Sequence, residues 1–186
     1  MKNVKTFLTL SPGLLLAWPS AAADSYNIDS KKSKVTFKIR NKPPGAKEFQ
    51  EVPGSFKDFS GIVVFDSKNP SKSSVQMEVK TTSVDTKNRK RDKHLRNQDF
   101  FKVKEHPTMS FKSTKVKKTS DKNYEVTGNF TLLGKSKPIT VKFEVTGESS
   151  GKTSFQIKRS EYGMKFRVPD TADEVDVTLE IVATKK

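Results

Sequence analysis

"ITVKFEV", residues 139–145, sets Ile139, Val141, Phe143 and Val145 at every second position, with Thr140, Lys142 and Glu144 between them. Successive side chains of a strand leave opposite faces, so a period of two predicts a β-strand with one face buried and the other in water. The pattern recurs outward in both directions. N-terminally it appears in "NYEVTGNFTL" (123–132), "TMSFKST" (108–114), "SVQMEVK" (74–80) and "KVTFKIR" (34–40). C-terminally it appears in "SFQIK" (154–158) and "EVDVTLEI" (174–181). An eighth segment, "SFKDFSGIVVFD" (55–66), is apolar on both parities around Gly61, and a glycine inside a strand predicts a bulge or a sharp bend there.

These segments predict an all-β chain of eight antiparallel strands. "LLGKSKPI" (132–139) reads as a hairpin turn, and "FDSKNPSKSS" and "TSDKN" as further polar turns. One stretch, Asp85 to Arg96, has helical character, with Asp85 as its expected N-cap and Leu95 almost its only apolar residue. Eight antiparallel strands have to manage their edges. A closed barrel does so fully and is favoured, while periodicity leaves an eight-stranded sandwich open.

The N-terminus reads as a cleavable secretory signal over residues 1–23. Lys2 and Lys5 precede the apolar "FLTLSPGLLLAW", and Ala21 and Ala23 stand in the small-residue spacing of a cleavage site. The apolar run is broken by Ser11-Pro12-Gly13 and falls short of the roughly 20 residues of a membrane span. Residues 24–186 are then expected to form one secreted domain. Its charge would be +13, because the signal removes two lysines and no acid from the full-length +15. There is no cysteine, so disulfides and a lipidated N-terminal cysteine are excluded. A core drawn from 32% hydrophobic residues leans on the 13 phenylalanines, each contributing roughly 1.5–3 kcal/mol when fully buried.

Several motifs then appear in order: "GSFKDFSGIVVFD", "SSVQMEVKTTSVDT", "RDKHLRNQDFFKVKEHPTMSFKST", "VTGNFTLLGKSKPITVKFEV" and "RSEYGM" with "DEVDVTLEI". Together they resemble the YceI-like polyisoprenoid-binding proteins of bacteria over nearly the whole chain after the signal. The resemblance implies a periplasmic, lipocalin-like extended barrel that holds a long isoprenoid or related amphiphile in a central channel, with no enzymatic step and no cofactor. Two segments depart from the family pattern. "NKPPGAKEFQEVPG" (41–54) carries a Pro-Pro-Gly that would reshape the entrance, and "KNRKRDK" (87–93) is more basic than in relatives.

"DKHLRNQDFF", Asp92 to Phe101, gathers the residue types of a reactive centre. Asp92, His94, Asp99 and His106 are metal-ligand types, but twelve positions separate the only two histidines, without the tight local pair that zinc sites use. The favoured reading is a cap in which Asp92, Arg96 and Asp99 tie a helix to the barrel rim while Phe100 and Phe101 fold inward. A mouth in which Arg96, Phe100 and Phe101 meet a polar head group is compatible with it. There is no cysteine nucleophile and no G-x-S-x-G; "LGKS" (133–136) lacks the first glycine of a phosphate loop, since position 129 is Asn.

Strand parity and side-chain size select Phe37, Met77, Met109, Phe111, Phe130, Val141, Phe143, Phe155 and Leu179 as the channel lining. The leading expectation is a protein that transports, stores or sequesters a long-chain lipid. Its rivals are a charge-driven binder of anionic polymers or membrane surfaces, and a metal-dependent enzyme using His94 and His106. Expected partners are the lipid and a transient membrane surface. A homodimer is compatible with the sequence. Nucleic acid is not expected, because the aromatics sit on the strand parity opposite to most lysines.

Overall fold

The computed structural model describes residues 23–186, so the proposed signal lies outside the described residues apart from Ala23. Eleven hydrogen-bonded segments form one antiparallel sheet. They are β1 (Asp24–Ile28), β2 (Lys34–Asn41), β3 (Gln50–Phe56), β4 (Phe59–Phe65), β5 (Ser74–Lys80), β6 (Val84–Asp85), β7 (Thr108–Lys118), β8 (Asn123–Leu132), β9 (Lys135–Gly147), β10 (Ser150–Lys158) and β11 (Thr171–Lys185). Among the described residues a single α-helix, α1 (Arg89–Leu95), interrupts them.

The segments close into an eight-stranded barrel. β1 and β2 run in line beside β11, which pairs Tyr26 with Lys185 and Val35 with Leu179. β3 and β4 likewise run in line beside them, pairing Val35 with Phe56 and Tyr26 with Val63. β6 continues β5 against β3. Counting each composite once gives the eight strands expected, and β1–β11 pairing removes the open edge along the barrel body. A sandwich is thereby ruled out.

Three local expectations differ from the structure. β3 carries Pro53 and Gly54 and reads as a connection, yet it pairs along its length with β2. Only Ser55 and Phe56 are covered on its other side, by β6, so Pro53 sits on an edge where its missing N–H has no ladder partner to lose. Gly54 makes room for Phe37, whose ring lies 2.2 Å from where a Cβ would stand. Gly61 is not a bulge: β4 and β5 pair in unbroken register through Gly61 and Met77, and the break falls between β3 and β4 at Lys57–Asp58. Gly61 instead allows close approach, since a Cβ would stand 2.6 Å from both the Gln76 carbonyl and Ile28 Cδ1. The hairpin at "LLGKSKPI" forms as expected, with Leu132 opposite Lys135 and positive φ at both Leu133 (51°) and Gly134 (71°), matching the strand twist.

Helix α1 starts later than expected. Its cap is Asn88, whose side chain accepts from Arg91 N at 3.0 Å. Asp85 is instead an ion-pair centre, 2.6 Å from Lys57 Nζ and 3.1 Å from Lys87 Nζ. The hydrogen bond from Lys57, then those from the backbone and side chain of Lys87, hold its carboxyl well below the usual range.

Candidate functional site

Alternation has one consequence for the whole barrel: every inward face is apolar and all of them meet. A cavity of about 930 Å³ runs through the centre, at the upper end of the roughly 300–1,000 Å³ of small-molecule sites. A barrel of eight strands is at the size where side chains alone can fill the interior. Here they do not. All nine residues selected by parity line this cavity: Phe37 of β2, Met77 of β5, Met109 and Phe111 of β7, Phe130 of β8, Val141 and Phe143 of β9, Phe155 of β10 and Leu179 of β11. Met77, Met109 and Val141 are buried, and the others are half-buried with surface turned to the lumen. β11 contributes lining residues from Thr171 to Ala183, a strand length that in a tilted barrel gives a channel roughly 30 Å long.

The two ends of the channel are built differently. At one end lie α1, the turn between β2 and β3, and the segment leading into β11. The turns between β7 and β8 and between β9 and β10 form the far end.

At the α1 end, "DKHLRNQDFF" is a cap. Asp92 is buried, and its Oδ1 accepts from Thr86 N at 2.9 Å and Thr86 Oγ1 at 2.6 Å. His94 Nε2 and Asp99 Oδ2 are 2.8 Å apart. Phe100 and Phe101 turn inward and line the cavity, with Phe101 edge-on to Phe56 at 5.5 Å. Arg96 does not reach the mouth. Its Nε donates to Thr82 O at 2.8 Å and an Nη to Val84 O at 2.7 Å, stapling the helix to β6 on the outer side. The carbonyls freed where β5 gives way to β6 draw it there. His106 is not brought together with the His94–Asp99 pair as a metal site: its carbonyl accepts from Thr81 Oγ1 at 2.8 Å. Among the described residues no three His, Asp or Glu side chains group as around a metal ion.

Sequence reasoning missed Arg159. It lies at the end of β10, lines the channel and is 1% exposed. Its guanidinium donates to four carbonyls, those of Ala172 (2.9 Å), Met164 (3.0 Å), Phe166 (3.0 Å) and Thr171 (2.9 Å). Burial pushes its pKa down and the field of Asp173 pushes it back up. For Asp173, burial alone would raise the carboxyl, but two hydrogen bonds from Ser160 and the charges of Arg159 and Lys158 hold it below its ordinary value. The loop gathered by Arg159 places Phe166 against His94 (5.5 Å) and Phe100 (5.4 Å), closing it over the helix. Arginine at a strand end carries no local sign of burial, and its four acceptors lie 5 to 13 residues further on.

The YceI-like domain family matches residues 26–183. A UPF0312 protein of Pseudomonas aeruginosa is 35% identical over 97% of each chain. Among solved structures, Burkholderia cenocepacia BcnA is 27% identical with a TM-score of 0.74, covering 84% of this chain and 99% of that one. A polyisoprenoid-binding domain from Saccharophagus degradans, implicated in plant cell wall breakdown, superposes with a TM-score of 0.66, covering 87% of this chain and 98% of that one. At 14% identity it shares the fold alone.

Proposed function

This chain belongs to the YceI-like domain family, and on that premise we propose that it is a non-catalytic periplasmic protein that sequesters the tail of a long-chain isoprenoid or similar amphiphile inside the barrel. The observation that carries this reading is the cavity of about 930 Å³, walled by the inward faces of the strands. Phenylalanine and methionine suit such a tail because they pack adaptably against it. Each buried methylene contributes about 0.8 kcal/mol relative to water. A bilayer offers the tail much the same, so exchange between barrel and membrane is close to balanced. That suits a carrier or a buffer rather than a permanent store.

The direct test is to purify the protein from a periplasmic extract without detergent and to extract it for mass spectrometry. One hydrophobic molecule per chain is expected. Absence of any such molecule, together with failure to take up a long-chain lipid on reconstitution, would sink the reading.

Loading requires an encounter with a bilayer, and the α1 end has the chemistry for one. Phe49 is 46% exposed, Phe166 37% and Val168 40%. Lys42, Lys47, Arg89, Lys90 and Lys93 occupy the turn and helix at the same end. Each basic residue gains about 1 kcal/mol near anionic lipid, and the attraction is screened within a Debye length. Co-sedimentation with phosphatidylglycerol vesicles is expected, falling steeply between low and physiological salt and reduced by Phe166→Ser. Salt-independent binding, or none at low salt, would contradict this.

A further inference from the structure

The channel has a second opening. Gly147, Glu148 and Ser149 at the β9–β10 turn line the cavity, as do Lys118 and Asp121 at the β7–β8 turn and Ser67 after β4, and all six are exposed. A residue meets both lumen and solvent only where the wall ends. At the α1 end Leu95, Phe100 and Phe101 pack into the mouth. The far end has no such filling among the described residues. Its three connections, 66–73, 119–122 and 148–149, contain no leucine, isoleucine, valine, methionine or aromatic residue.

These connections satisfy their polar groups locally. Asp66 Oδ1 accepts from Lys68 N at 3.0 Å and from Asn69 N at 2.7 Å. Asn123 Nδ2 donates to Ser120 Oγ at 2.8 Å, and the Thr146 and Ser150 hydroxyls meet at 3.1 Å. Turns closed in this way seek no partner inside the barrel. Beneath that polar rim the wall is apolar at once: Phe65 and Tyr124 stand edge-on at 5.8 Å, with Val116, Val126 and Val145 in the same cluster. The rims differ in charge. Asp121 and Glu148, the two carboxylates of the lining, stand at the far mouth, whereas Lys90, Arg91, Arg159 and Arg167 stand at the α1 mouth. The channel is therefore a passage of roughly 30 Å, apolar between two polar mouths.

We propose that the far end is a second, wet mouth, and that the channel takes chains with a polar group at each end, one at either mouth. The proposal rests on the tail-binding reading above and adds the tip of the tail. In a barrel closed at that end, a hydroxyl on the tip is buried without a partner, which lowers affinity by about tenfold or more. At an open mouth it keeps its water. Length decides between the two outcomes. On a chain too short to cross the passage, the second hydroxyl stops in the apolar middle, beside residues such as Phe143 and Leu179. On a chain of matching length it emerges at the rim of Asp121, Glu148 and Ser149.

The experiment uses lipid-stripped protein and equilibrium displacement of a fluorescent fatty probe by two pairs of competitors delivered from cyclodextrin. One pair is dodecanol and its α,ω-diol. The other is docosanol and its α,ω-diol, whose extended chain matches the roughly 30 Å passage. The second hydroxyl is expected to cost the shorter chain at least tenfold in affinity and the longer chain less than threefold. Ser149→Trp, which narrows the far mouth, should raise the cost for the longer chain to at least tenfold. A fluorophore on Ser149→Cys, the only thiol in a chain that otherwise has no cysteine, gives a second measurement without added bulk in the barrel wall. It should respond to docosanol and its diol and not to dodecanol. A cost of tenfold or more at both lengths, or a label that responds to neither long chain, means a closed end and overturns the second mouth while leaving the tail reading in place. An unraised cost in a folded Ser149→Trp protein does the same. A cost below threefold at both lengths means that neither chain lies in an apolar lumen and overturns both readings, as does failure of every alcohol to bind.

Discussion

Arg159→Met lowers the melting temperature of the lipid-free protein by about 10 °C, an expected loss set by the four carbonyls it abandons. Each buried acceptor left without a donor costs about 1–3 kcal/mol, so the low end of the range for four is about 4 kcal/mol. For a domain of this size each 1 kcal/mol shifts the midpoint by roughly 2–4 °C. The carbonyls of Met164, Phe166, Thr171 and Ala172 belong to one loop and the start of β11, so their release should loosen that loop first. Arg159→Lys should recover only part of the loss, since one compact ammonium cannot span four acceptors as a planar fork does. Circular dichroism melts of the three proteins measure this. A shift under about 2 °C for the methionine variant, on the same scale, would mean that water replaces the guanidinium freely.

The second large effect falls on ligand retention with the barrel kept intact. Phe143 lies on β9 opposite Thr153, half-buried, with its ring over Gly151 at 2.3 Å from where a Cβ would stand. Phe143→Asp puts a carboxylate into the lumen, which keeps water beside it and displaces tail methylenes at about 0.8 kcal/mol each. Two or three such groups amount to about 2 kcal/mol, more than the 1.4 kcal/mol of a tenfold change in affinity. Leu179→Trp reaches the same end by bulk. Leu179 stands between Val35 and Thr153 in the wall, and an indole there narrows the channel where the tail must pass. Both variants should carry less than a tenth of the lipid found with the unaltered protein while melting cooperatively, as mass spectrometry and calorimetry would record. Full retention in either would place the ligand outside the barrel.

Much of the wall was legible before any coordinates. Ile139, Val141, Phe143 and Val145 face the lumen because alternate side chains of any strand must share a face, and the same holds for Val175, Val177, Leu179 and Ile181. The inward turn of Phe100 and Phe101 was equally accessible, since two adjacent large apolar residues beside charged ones have only the barrel end in which to bury. The errors lie where one residue type serves two purposes. Gly61 reads as a bulge or bend inside its strand, yet the ladder passes through it unbroken and it yields space to Ile28. The end of the 41–54 connection pairs as a strand, and Pro53 is admitted because β3 is mostly an edge. Arg96 ties the helix to the rim as the cap reading expects but does not reach the mouth, and Arg159 was overlooked, for a common reason: a guanidinium goes to whichever carbonyls the chain leaves unpaired, and those are known only once the strands are placed.

Alternation along the chain is a local property, readable from each strand alone, and it is sufficient to say which side chains share a face and that those faces are greasy. Whether the faces enclose a lumen is a property of pairings such as Tyr26 with Lys185, made between residues at opposite ends of the described chain. The same closure sorts the charges. Lys90 and Arg91 on α1 meet Arg159 and Arg167 of the β10–β11 connection only because these two connections return to one rim. Parity is set by the backbone of a single strand, whereas the hollow, its direction and its buried arginine arise from long-range hydrogen bonding that no short window of residues contains.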